Sequence, residues 1–117
     1  MSMNMNGNPT EFTVKVGSRS TLRLTFKSSS GVAKDLTNTV TFSTGKWKVW
    51  KPDGTLIING DITYVTRSAG LISYTLSASD TVLDNAGVWE GEIELDDSAG
   101  VISDQTKSFT FIIEESY

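Results

Sequence analysis

Within five residues, Lys46-Trp47-Lys48-Val49-Trp50 places two indoles among two cations. Indole rings stack on bases and on sugar faces, and neighbouring lysines neutralise phosphate, so this run has the chemistry of a single-strand nucleic-acid or carbohydrate site. A second group is acidic: Glu90, Glu92 and Glu94 alternate along one segment, and Asp96, Asp97 and Asp104 gather around a glycine turn. Paired carboxylates hydrolyse glycosides when they face each other across a cleft with separated pKa values. Three acids on one strand face, spaced about 7 Å apart by strand rise, form a charged ladder and no cleft. The aspartates have the oxygens Ca²⁺ needs but lack the ligand spacing of an EF-hand loop, and acids beside a turn are ordinarily solvated.

The chain contains neither histidine nor cysteine. Triads of the Ser-His-Asp and Cys-His kind are thereby impossible, as are disulfides and thiolate metal sites. No glycine-rich phosphate loop precedes a helix. No catalytic, cofactor-binding or metal-binding residue is expected, and the chain reads as a non-enzyme.

Strands carry these residues. Phe12, Val14 and Val16 alternate with polar neighbours, as do Leu22, Leu24 and Phe26, with the period of two that marks half-buried strands. Val40 and Phe42 share a face, out of phase with the inward pair Trp47 and Val49. A bulge at Gly45, or two strands meeting there, would explain the shift. Lys51-Pro52-Asp53-Gly54 is a turn with a mechanism, since proline sets one φ and glycine accepts a positive one. Ile62 and Tyr64, then Ile72, Tyr74 and Leu76, flank Ser68-Ala69-Gly70 as a hairpin. Residues 78–87 connect, with Ser79 or Asp80 as the cap of a short helical turn. Trp89, Gly91, Ile93 and Leu95 face inward opposite the glutamates, and Phe109, Phe111 and Ile113 close the pattern.

Turn signals every eight to twelve residues, about seven to nine short strands and no helical period predict an all-β, antiparallel, immunoglobulin-like sandwich. The 117 residues suit one domain, spanning 11–117, behind a flexible N-terminal arm at 1–10 that is polar and holds three asparagines. The opening residues lack the apolar core of a secretory signal, and no run is long enough to span a bilayer, so no membrane partner is expected.

Charge is divided along the chain. Before residue 80 there are nine basic residues against four acidic ones, and from Asp80 onward ten acidic residues against Lys107 alone. Interleaved in one sheet, the halves would pair across strands; at opposite ends, they would steer copies head to tail. In an immunoglobulin-like sandwich the strand bearing Lys46 and Lys48 pairs with the one bearing Glu90, Glu92 and Glu94. The lysines are then neutralised and no nucleic-acid partner is expected. Trp47 goes to the core, while Trp50, on the outer face beside a turn, is left as an interface candidate with Val82, Leu83 and Tyr117.

Taken together, Lys51 to Gly54, the Gly70 to Leu76 strand, Asp84 to Trp89, the Gly100 hairpin and the Phe109 to Ile113 strand resemble the immunoglobulin-like N-terminal domain of bacteriophage baseplate upper proteins. Trp89 stands where that pattern has a tyrosine. The resemblance covers roughly residues 36 to 113 and implies a phage structural module in a tail, baseplate or adaptor. Such a protein is made in the host cytoplasm, ends in the virion, and contacts other virion proteins, with symmetric copies of itself. An adhesin-type, carbohydrate-binding module, with Trp50 and Tyr64 stacking on sugar, is the alternative. Trp47, Asp84, Gly87 and Trp89 are expected to determine the fold, Trp89 by an indole bond back to upstream backbone at a sandwich corner.

Overall fold

The computed structural model describes residues 4–5, 8–9, 11–28, 30–106 and 108–115, the first four as backbone. Tyr117 and part of the 1–10 arm lie outside the described residues. Asn4–Met5 (β1) and Asn8–Pro9 (β2) pair antiparallel as a two-residue ladder.

Nine further strands build two sheets. The front sheet runs Glu11–Lys15 (β3), Phe109–Glu114 (β11), Gly87–Asp96 (β9), Thr44–Trp50 (β5) and Leu56–Asp61 (β6), and Ile102–Gln105 (β10) extends it along the far half of β9. The back sheet is Thr21–Thr25 (β4), Leu71–Thr75 (β8) and Thr63–Thr66 (β7). The expected immunoglobulin-like sandwich is therefore present. Its pairing is antiparallel except for β3, which lies parallel to β11 with Phe12 opposite Phe111. The physical reason is that Gly17, at φ +85°, turns the chain out of the front sheet into the back one, so β3 has no hairpin partner and joins the last strand.

The inward sets follow the alternation. Val14, Leu24, Phe26, Val49, Ile72, Leu76, Ile93 and Ile113 are buried around Trp47, which is fully enclosed. Immunoglobulin domains ordinarily pack a tryptophan of this central strand on a disulfide. Without cysteine, this chain uses rings instead. Trp47 stacks on Tyr74 of the back sheet at 5.9 Å and meets Phe12 and Phe109 edge-on at 4.9 and 5.5 Å. Gly60 makes room, since a Cβ there would lie 2.1 Å from the Tyr74 ring. The Trp47 indole N–H is buried and has no hydrogen-bond partner among the described residues.

Three local expectations are corrected. Val40 and Phe42 do not form a strand face: residues 39–42 turn, with Val40 exposed. Asn38 explains this, because its side-chain oxygen accepts from Val40 and Thr41 N–H at 3.0 and 3.1 Å and its carbonyl from Phe42 N–H at 2.8 Å. β5 then begins at Thr44, and its bulge lies against β6, between Val49 and Trp50. Residues 102–105 form a strand where only a hairpin turn was expected. Finally, the 3₁₀ turn Leu83–Asn85 has Val82 at its N-cap and no side-chain cap, so neither Ser79 nor Asp80 caps it.

Candidate interaction surface

The Lys-Pro-Asp-Gly turn is held by its own backbone. Lys51 N–H donates to Thr55 O and Gly54 N–H to Lys51 O, both at 2.9 Å, with Gly54 at φ +89°. Thr55 N–H donates to Asp53 Oδ1 at 2.8 Å, and bonds from the Thr55 hydroxyl and N–H hold the Asp53 carboxyl below its usual range. Fixed in this way, the turn projects beside the first half of β9, and Lys51 Nζ sits 5.4 Å from the centre of the Trp89 ring.

Trp89 is anchored from the other side. Its Nε1–H donates to Asn85 O at 2.7 Å, and Asn85 Nδ2–H in turn donates to Asp80 O at 3.0 Å. Gly87, at φ +150°, leaves space that a Cβ would take from the indole, the two being 2.3 Å apart. The Asp80 carboxylate is buried, accepts from the Tyr74 hydroxyl and, at 2.9 Å, from Ser77 N–H. Burial, then that bond, pushes the Tyr74 hydroxyl well above its ordinary range. Asp84, by contrast, is exposed and makes no hydrogen bond or ion pair among the described residues. The carboxylate that knits this corner is Asp80, a residue whose sequence context looked like a helix cap. Asp80 lies six residues after Tyr74, and only the folded loop shows that they meet.

Between the turn and the start of β11 lies a groove of about 720 Å³. Trp50, Pro52, Val88 and Trp89 give it apolar walls, and Lys51, Glu90, Ser108 and Thr110 supply polar groups. Val88 is 63 % exposed, and Trp50 pairs across the β5–β6 bulge with Leu56, which is also exposed. Val82 and Leu83 are exposed on the loop that feeds β9, at this end of the sandwich, but do not line the groove. Trp50 and Tyr64 are not brought together. The Tyr64 hydroxyl reaches Thr44 O at 3.4 Å, so Tyr64 sits six residues, about 20 Å, up β5 from Trp50. One face of Tyr64 is also covered by the Arg67 guanidinium at 3.8 Å.

The lysines meet the glutamates across the sheet. Lys46 lies opposite Glu94 and Lys48 opposite Glu92 in the β5–β9 register. Lys48 Nζ takes Glu94 Oε1 at 2.7 Å, and Lys46 turns to Asp61 Oδ1 on β6 at 2.5 Å. Among the described residues Glu90 and Glu92 are left without an ion pair. Burial, then the Glu94 charge, pushes the Glu92 carboxyl up, with Lys48 opposing and Glu90 adding to the rise. Among the described residues no three acids gather as a metal cage. Asp97 accepts from Ala99 and Val101 N–H at 2.9 and 3.0 Å, and Asp104 is paired with Lys34. Arg67, missed in the sequence, donates to Leu36 O and Phe42 O at 3.0 and 2.8 Å and pins the 36–42 loop; a lone arginine after a strand carries no signal for that role.

The strand order and this surface define an immunoglobulin-like β-sandwich with a groove at one end of its larger sheet. Comparison with known proteins agrees at the level of fold. The N-terminal domain of phage TP901-1 ORF48 superimposes with a TM-score of 0.62 at 12 % identity, over 87 % of this chain and 82 % of that one. CopC from Methylosinus trichosporium OB3b does so with a TM-score of 0.52 at 11 % identity, over 92 % and 87 %. No family model and no curated protein matches the sequence. Among the described residues no helix is long and apolar enough to cross a membrane.

Proposed function

We propose that the chain is a non-enzymatic structural module of a bacteriophage particle, part of a tail, baseplate or adaptor. In this reading it is present in symmetric copies and acts through contacts with other virion proteins. The observation that carries the reading is the likeness to the N-terminal domain of phage TP901-1 ORF48 over most of both chains. The surface is in keeping with it: the groove beside Trp50 has the aromatic anchor, apolar wall and polar rim of a protein-contact hot spot. Mass spectrometry of purified particles from the source phage tests it. The protein should be found there at a fixed ratio to a tail or baseplate component, and a gene deletion should yield particles that the wild-type protein completes and Trp50→Ala does not. Particles lacking the protein would overturn the reading.

The groove itself favours a second reading, a carbohydrate site in which Trp50 stacks on a sugar ring while Glu90 and Thr110 bond its hydroxyls. Tyr64 has no place in that site. A monomer that binds a glycan array, and loses binding on Trp50→Ala, would replace the first reading by this one.

A further inference from the structure

The outer face of the back sheet carries cations without acids, whereas the outer face of the front sheet carries acids in excess of its lysines, Lys15, Lys46 and Lys48. None of the back-sheet strands, β4, β7 or β8, contains an acidic residue. Several outward positions of that sheet are hydroxylic, including Thr21, whose hydroxyl bonds Thr75 at 2.9 Å, and Thr63, exposed at the sheet margin, and Val65 is exposed beside them. Arg23 stands exposed in the middle of β4, Arg19 two residues before the strand and Lys27 two residues after it. Neither Arg19 nor Arg23 has a hydrogen bond or ion pair among the described residues. The outer face of the front sheet carries Glu90, Glu92 and Glu94 along β9, of which Lys48 answers Glu94 alone.

The sequence halves explain the polarity. The back sheet is drawn wholly from the basic half, whereas β9, β10 and β11 come from the acidic half. Arg23 lies on β4 with Arg19 just before the strand, and Glu90 and Glu92 stand about 7 Å apart on one face of β9, so each sheet presents a short row of like charge.

We infer that the back face of one copy seats on the β9 acid ladder of a second copy, with Arg19 and Arg23 against Glu90 and Glu92. The contact is heterologous, each copy keeping one free front and one free back, and it generates a stack or a closed ring. This deepens the multicopy part of the function proposed above and does not depend on the phage part.

Light scattering across concentration tests it with two charge-reversed proteins. Wild type should associate, and association should weaken at least tenfold between about 0.05 and 0.5 M NaCl as the Debye length contracts. Arg19→Glu/Arg23→Glu makes both faces acidic, and Glu90→Lys/Glu92→Lys makes the front basic like the back. Each alone should stay monomeric, and an equimolar mixture should recover association. Circular dichroism melts establish that both are folded. Should either reversed protein not fold, the milder Arg23→Gln and Glu92→Gln should each weaken association of the full chain by about tenfold. A wild type that stays monomeric overturns the inference, as do reversed proteins that still associate or a mixture that remains monomeric. Finding the protein in virions would leave the phage reading standing in each of those cases.

Discussion

Three residues decide most of what happens at the residue scale. Gly60 is the partner of the Tyr74 ring, with no room for a methyl. Gly60→Ala should cost about 1–3 kcal/mol by overpacking, read as a fall in urea midpoint at unchanged slope. An unaltered midpoint would mean that the ring lies elsewhere. Trp89 ties the loop after β8 to β9 through one indole donor. Trp89→Phe keeps a ring but leaves Asn85 O unbonded, so about 0.5–1.5 kcal/mol should be lost, measured the same way. Glu92 is the third. Its folded pKa is raised above the ordinary 4.5, so its ionised form costs stability above that folded value, and the cost fades as pH falls through it. Thermal melts should show Glu92→Gln more stable than wild type at pH 7, with the gap closing at about pH 3. A variant less stable at pH 7 would contradict the sign.

Among the elements, β5 is the one on which the others depend. It lies between β6 and β9, places Trp47 in the core, Trp50 at the groove and both lysines against the acidic strand. The cross-strand pairing is modest in energy, since Lys48 and Glu94 keep part of their contact with water. Lys48→Ala should destabilise by roughly 0.2–1 kcal/mol. Removing the cation that opposes the Glu92 rise should also push that carboxyl further up, which carboxyl titration by NMR would read. No change in the Glu92 titration would show that the two groups do not sense each other across the sheet. By contrast, Trp47→Ala empties the meeting point of both sheets and should cost about 3–5 kcal/mol.

At the scale of the whole molecule, the first and last front-sheet strands pair parallel, so the sheet is complete only when the two ends of the domain meet. Topology of this non-local kind should make refolding slow, in the range of about milliseconds to seconds, as stopped-flow fluorescence of the tryptophans would show. What was legible beforehand was whatever a period of two records. The alternation of Phe12 and Val14, of Leu22 and Leu24, and of Trp89 to Leu95 marks strands and faces because burial of one pleated face is a local demand on the sequence. The absence of histidine and cysteine likewise removed whole classes of chemistry without any coordinates. Partnership was different. That Arg67 pins the 36–42 loop, that Trp50 and Tyr64 stand far apart, and that Arg19 and Arg23 lie on the opposite outer face from Glu90 and Glu92 are all consequences of which strands the chain sends to which sheet. No window of the sequence contains that information, because the contacts that set it join residues far apart along the chain, and only their simultaneous packing around Trp47 chooses among the possible pairings.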